Sequence, residues 1–150
     1  MPTDRPQRKI IRLPNYDYSS EGAYFVTLCT ERKEKILCNY ALPALEGDAP
    51  VLSLTPIGRA VDDMIRLIPG IDKYVIMPNH VHMIVFNSEN DASLPRKLQF
   101  FKSNLTRKLG RSIWQRSYYE YVIRSEQDYL VRWKYIDDNP AKWATDDYCC

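Results

Sequence analysis

Residues 73–86, KYVIMPNHVHMIVF, decide how this chain folds. Two runs of strand character, 73–77 and 80–86, flank Pro78-Asn79, a pair suited to a turn. The segment therefore reads as a hairpin, with its two arms antiparallel. Its second arm carries both histidines of the chain, His80 and His82. Successive side chains of a strand point to opposite faces, so the two imidazoles share a face and Val81 takes the other. Two neutral imidazoles side by side are a natural pair of metal ligands. The same spacing also fits one histidine buried in a hydrogen bond and the other facing solvent.

Upstream, residues 22–30 (GAYFVTLCT) are β-branched and aromatic and predict another strand. Residues 38–54 hold Pro43, Gly47 and Pro50 and read as a loop, with a short strand at 51–54. Thr55-Pro56 opens a helix, threonine as N-cap and proline at the first helical position. Ile57, Ala60, Val61, Met64, Leu67 and Ile68 give that helix its apolar face, and Pro69-Gly70 ends it. Downstream, Ser93 caps a helix whose Leu94, Leu98, Phe101, Leu105 and Leu109 form one stripe. Residues 114–124 predict a further strand. Ser125 caps a last helix beginning at Glu126, and Pro140 ends it, since the residue before a proline is pushed away from helical geometry.

The order is β–α–β–β–α–β–α. It predicts an α+β fold, a ferredoxin-like (RRM-like) antiparallel sheet with helices packed on one side. The 150 residues suit one domain, 1–150, in which residues 1–21 form an irregular basic arm.

Composition narrows the class. An apolar share of 45% and a charged share of 27% are those of an ordinary globular protein. No apolar run reaches the ~20 residues that span a bilayer, and no signal-peptide pattern follows the basic N-terminus. A cytoplasmic location and no membrane partner are the expectation. Cys29, Cys38, Cys149 and Cys150 form no C-x-x-C pair, which excludes a zinc knuckle and a secreted disulfide framework.

Net charge is only +2, but it is segregated. Arg96, Lys97, Lys102, Arg107, Lys108 and Arg111 fall in a stretch without a single acid, and Arg5, Arg8, Lys9 and Arg12 crowd the N-terminus. The last fifteen residues run acidic. Each basic residue alone is a solvated charge; together they make a surface for a polyanion. Eleven tyrosines and three tryptophans add stacking surfaces for unpaired bases.

The last helix supplies a further clue. Tyr129, Leu130, Trp133 and Ile136 form its apolar stripe, and Tyr135 points roughly 150° away from it at 100° per residue. Asn139, four residues on, shares the face of Tyr135. A paired-imidazole site, a tyrosine and a carboxamide oxygen suit metal-assisted attack on a phosphodiester. A phenol with a pKa near ~10 is a poor nucleophile at neutral pH. A divalent cation on His80, His82 and Asn139 would bind the phosphate and stabilise the leaving 3′ oxygen while Tyr135 attacks in line. The resulting phosphotyrosine keeps the energy of the cleaved bond, so rejoining needs no nucleotide, consistent with the lack of a phosphate-binding G-x-x-x-x-G-K-[ST] loop.

Pro78-Asn79-His80-Val81-His82 resembles the His-hydrophobic-His motif of the HUH single-strand endonucleases. The chain is more specifically similar to the single-tyrosine transposases associated with repetitive extragenic palindromes (REP), relatives of the smallest insertion-sequence transposases. The likeness rests on residues 15–19 (NYDYS), 22–27 (GAYFVT), 74–82 (YVIMPNHVH), 114–119 (WQRSYY) and 135–140 (YIDDNP), and runs from about Arg12 to Trp143. It implies that His80, His82 and Asn139 bind Mg²⁺ or Mn²⁺ and that Tyr135 forms a 5′-phosphotyrosine. It implies a substrate of hairpin DNA flanked by a short single-stranded sequence, which Arg12, Tyr16 and Tyr18 of the basic arm are placed to reach, while the all-basic helix by its charge alone offers Arg96, Lys97, Lys102, Arg107 and Lys108 to phosphates. Monomer and homodimer both suit this architecture. The alternative is a domesticated, catalytically idle module that binds hairpin DNA. A metal-binding protein with no nucleic-acid role leaves the basic face unexplained. Tyr129 is a rival nucleophile on the apolar stripe; Tyr118, Tyr119 and Tyr121, and Trp114, Trp133 and Trp143, read as packing residues.

Overall fold

A computed structural model describes residues 22–41, 51–88 and 91–145. The hairpin is present, as β4 (Ile71–Ile76) and β5 (His80–Asn87). Its turn is closed by a Met77 N–H donating to the carbonyl of His80 at 2.8 Å. The tip is buried because the chain after β1 (Gly22–Cys29) wraps over it: the carbonyl of Asn79 accepts from the N–H of Thr30, and that of Pro78 from the N–H of Leu37.

Strand β5 lies between β4 and β1, and β6 (Tyr119–Ile123) closes the far edge, giving the order β4-β5-β1-β6 with every neighbouring pair antiparallel. A small separate hairpin, β2 (Cys38–Ala41) and β3 (Val51–Leu54), precedes α1 (Pro56–Ile65). The helices α2 (Leu94–Leu109) and α3 (Glu126–Asp138) follow β5 and β6. This is the mixed, antiparallel, ferredoxin-like arrangement that the element order predicts.

Alternation along β5 divides the core in two. Val81, Met83 and Val85 join Tyr24, Val26 and Leu28 of β1 beneath Val61 and Ile65 of α1 and Leu98, Phe101 and Leu105 of α2. Ile84, Phe25, Ala23 and Ile123 face the other way and are covered by Tyr129 and Ile136 of α3. The expectation of helices on one side thus holds for α1 and α2 and is corrected for α3. The first two helices link strands that run parallel in the sheet, and right-handed crossovers put both on one face. The last helix crosses nothing and takes the face that would otherwise expose Phe25, Ile84 and Ile123.

All three helix starts are where the sequence puts them. The hydroxyls of Thr55, Ser93 and Ser125 accept from the N–H groups of Gly58, Arg96 and Asp128. Leu67 departs from the expected face: α1 stops at Ile65, and Leu67 lies exposed in the turn beyond it. The strand expected over residues 114–124 is shorter. Trp114 makes an isolated bridge to Thr30, and the chain is out of the ladder until Tyr119; in that gap Lys102 Nζ hydrogen-bonds the carbonyls of Gln115 and Arg116. Gly70 turns the chain from α1 into β4 at φ +84°, and a Cβ there would collide with the carbonyl oxygen of Phe86. No helix among the described residues is long and apolar enough to cross a membrane.

Candidate active site

His80 and His82 leave β5 on the face that α3 covers, and both are buried. Residues two apart on a strand start roughly 6.6 Å apart. The imidazoles lean together, ring centroids 4.6 Å apart. Each is oriented through Nδ1. The Nδ1 of His80 lies 2.8 Å from Asn79 Oδ1, and that of His82 lies 2.8 Å from Thr27 Oγ1. An amide oxygen only accepts, so this contact is made by the tautomer of a neutral His80 that carries its proton on Nδ1. This is the arrangement in which a second partner fixes ring and tautomer while the remaining nitrogen serves as ligand.

Tyr135 of α3 stands against this pair. Its ring is 5.2 Å from that of His82 and 5.9 Å from that of Phe25, both edge-on. Phe25 stacks on His82 at 5.4 Å, so the three rings form one cluster. Tyr135 keeps 39% of its surface in solvent. Four residues later, Asn139 has helical backbone angles and therefore continues the face of Tyr135. It is buried, and its Oδ1 has no hydrogen-bond partner among the described residues. A buried amide oxygen left in this state is costly unless something binds it. Four residues further, Trp143 stacks on His80 at 6.0 Å.

Helix α3 is fastened so that this juxtaposition is kept. The hydroxyl of Tyr129 donates to Asp72 at 2.6 Å, and Lys73 donates to Asp137 at 2.9 Å while lying over the Trp133 ring. The rival tyrosine Tyr129 is thus a buried tie to β4. The buried side of α3 differs from the expected stripe, since Leu130 is exposed and Trp133 largely so. The helix instead sits on Tyr129 and Ile136, with Arg132 packed on aromatic rings and Asn139 buried. Tyr135 accordingly lies at the margin of the packed side rather than directly away from it.

The predicted nucleic-acid contacts do not gather here. Arg96, Lys97, Lys102, Arg107 and Lys108 lie on α2, across the sheet from the imidazoles. Arg96, Arg107 and Lys108 are exposed. Lys97 is turned inward: its Nζ donates to the carbonyls of Pro69 and Phe86 and pairs with Asp91 at 3.1 Å, so this lysine is a structural group and leaves the phosphate-binding set. Lys102 is half-buried over Tyr118, and burial lowers its pKa. Arg12, Tyr16 and Tyr18 lie outside the described residues. Thr27 and Asn79 are the site residues that sequence reasoning missed. Asn79 was visible as the neighbour of His80 in the turn; Thr27 is brought opposite His82 only by strand register.

No family model matches the chain. It is 32% identical, over 93% of its length and 91% of the relative's, to an uncharacterized protein of Haemophilus influenzae. It is 33% identical to the REP-associated tyrosine transposase of Escherichia coli K12, over 48% of this chain and 44% of that one, so it spans less than half of that curated relative. Among solved structures, its fold matches that of a REP-associated tyrosine transposase bound to a REP hairpin. The TM-score there is 0.60 and the identity 24%, over 88% of this chain and 74% of the other. The fold is therefore the one seen in that transposase. In sequence and fold the chain is similar to REP-associated tyrosine transposases.

Proposed function

We propose that this chain is a metal-dependent endonuclease and strand transferase acting on single-stranded, hairpin-forming DNA. The observation that carries the reading is the edge-on contact of Tyr135 with His82, whose ring lies 4.6 Å from that of His80. In the reaction, Tyr135 Oη attacks phosphorus as the P–O3′ bond breaks. The bond's electron pair leaves on O3′, the phenolic proton passes to solvent, and O3′ takes a proton from solvent. The products are a 3′ hydroxyl and a 5′-phosphotyrosine, and attack by a 3′ hydroxyl on that ester rejoins a strand.

The residues present fit a divalent cation. Among the described residues no cluster of three His, Cys, Asp or Glu side chains occurs, and Asn139 Oδ1, buried without a hydrogen-bond partner among those residues, is our candidate for the third ligand. Bound there, Mg²⁺ or Mn²⁺ would supply Lewis-acid polarisation of the phosphate. Two imidazoles and an amide oxygen suit Mn²⁺ better than Mg²⁺. Thr27 and Asn79 hold the imidazoles in place, and Phe25 holds Tyr135 against them. DNA phosphates would engage Arg96, Arg107 and Lys108, with Arg12, Tyr16 and Tyr18 on the flanking strand.

The competing reading, a binding module without cleavage, draws on the burial of both imidazoles and the stacking of Trp143 on His80. A covalent-adduct assay separates the two. A labelled hairpin library with Mn²⁺ should yield a protein–DNA band on a denaturing gel, lost with chelator and with Tyr135→Phe. Tight hairpin binding with no such band would establish the binding module. A band that survives Tyr135→Phe would assign the nucleophile to another tyrosine.

A further inference from the structure

Arg132 precedes Tyr135 by three residues on α3 and so shares its side of the helix. Its guanidinium carbon lies 3.8 Å from the centroid of the Tyr121 ring and 5.1 Å from that of Phe25. Phe25 is also the ring that touches both His82 and Tyr135. In the sheet, β1 separates β6 from β5, so Arg132 reaches the cluster from the β6 side and the imidazoles from the β5 side. A group held at Tyr135 would be flanked by both.

The surroundings of Arg132 hold the cation over two aromatic rings, with Asp128 as its ion-pair partner. Its Nε is buried and has no hydrogen-bond partner among the described residues. Asp128 Oδ1 lies 3.8 Å from it, beyond hydrogen-bonding reach. Packing alone would be served by an uncharged side chain of similar length, with no cation to desolvate. A planar fork of N–H donors, pre-set by two rings and short of acceptors, is a receptor for the non-bridging oxygens of a phosphate.

We propose that Arg132 binds the scissile phosphate and stabilises the charge that grows on its non-bridging oxygens as Tyr135 attacks, a role that rests on the phosphotyrosine reading above. Arg132 is then a catalytic residue supplied by the same helix as the nucleophile, three residues upstream.

The test uses a labelled hairpin strand whose cleavage site has been mapped with the wild-type chain, and the same strand with a neutral methylphosphonate at that site. Rates of adduct formation are measured for wild type, Arg132→Met and Arg132→Lys. Affinities for both strands are measured in the uncleavable Tyr135→Phe background with and without Arg132→Met. The expected result is a loss on the order of 10²-fold in rate for Arg132→Met on the ordinary strand, the size seen when one oxyanion donor is removed. Arg132→Lys should fall between, and Arg132→Met should leave affinity for the methylphosphonate strand unchanged while weakening the ordinary one. Equal losses on both strands, as misfolding or a merely structural role would give, overturn the proposal, and so does an unchanged rate. A wild-type chain that forms no adduct overturns the nuclease reading and this role with it; an adduct indifferent to Arg132 overturns this role alone.

Discussion

The ring of Tyr135 stands edge-on to the imidazole of His82, with centroids 5.2 Å apart and planes inclined at 64°. A contact of this kind ties the position of the Tyr135 ring to the position of the strand. Whatever turns His82 turns the floor on which Tyr135 rests.

Thr27 is the group that fixes His82. Thr27→Val keeps the shape and removes the 2.8 Å hydrogen bond to Nδ1. Affinity for Mn²⁺, read by calorimetric titration, should fall about 10- to 100-fold, as for other second partners of metal-binding histidines. The melting temperature should change little. An unchanged affinity would mean that Thr27 does not orient the ligand.

The two kinds of lysine and arginine on α2 should part company. Lys97→Met strands two carbonyls and Asp91, and should cost about 2 kcal/mol in denaturant unfolding. DNA affinity, normalised to folded protein, should keep its salt dependence. Arg107→Gln should leave stability alone and reduce the slope of log affinity against log salt by about 1. Identical salt slopes for wild type and Arg107→Gln would remove Arg107 from the DNA surface.

Gly70→Ala combines a left-handed backbone with a collision against the Phe86 carbonyl. It should lower stability by roughly 2 kcal/mol or more, read as a shift of the thermal transition. The β4–β5 pairing beside it, and with it the His80–His82 pair, should become more open to amide hydrogen exchange.

Alkaline stability should carry the mark of Tyr74. Burial first, and then its 2.5 Å hydrogen bond to Asp62, raise its pKa to about 12 from the ordinary 10.0. The folded chain keeps this proton longer than the unfolded chain does. The corresponding stabilisation is complete below pH 10 and is lost as pH rises through about 12. Tyr74→Phe should flatten the decline in that window, measured by denaturant unfolding at a series of pH values. A decline as steep in the variant would assign it to other groups, Tyr118 among them, whose pKa burial also raises.

Much of this was legible in one dimension. The hairpin at residues 73–86, the three capping hydroxyls and the β–α–β–β–α–β–α order of the main sheet and its helices follow from local chemistry: turn residues, β-branched runs, and side chains that bond their own backbone; the strand at Cys38–Ala41, in a segment that reads as a loop, does not. The sharing of a face by His80 and His82 follows from the two-residue period of a strand, which no tertiary contact has to supply. The pairing of Tyr135 with Asn139 follows in the same way from the helical period. What local chemistry does not carry is the side of the sheet on which a helix lands. Leu130 and Trp133 look like core residues, yet α3 docks through Tyr129 and Ile136, because Phe25, Ile84 and Ile123 offered an uncovered apolar face and Asp72 accepted the Tyr129 hydroxyl. That docking alone sets Tyr135 against His82 and lays Arg132 over Tyr121 and Phe25. Lys97 makes the same point in reverse: its charge is plain in the sequence, while its inward turn depends on carbonyls 28 and 11 residues away. Periodicity determined which side chains travel together; burial and strand register decided what they meet.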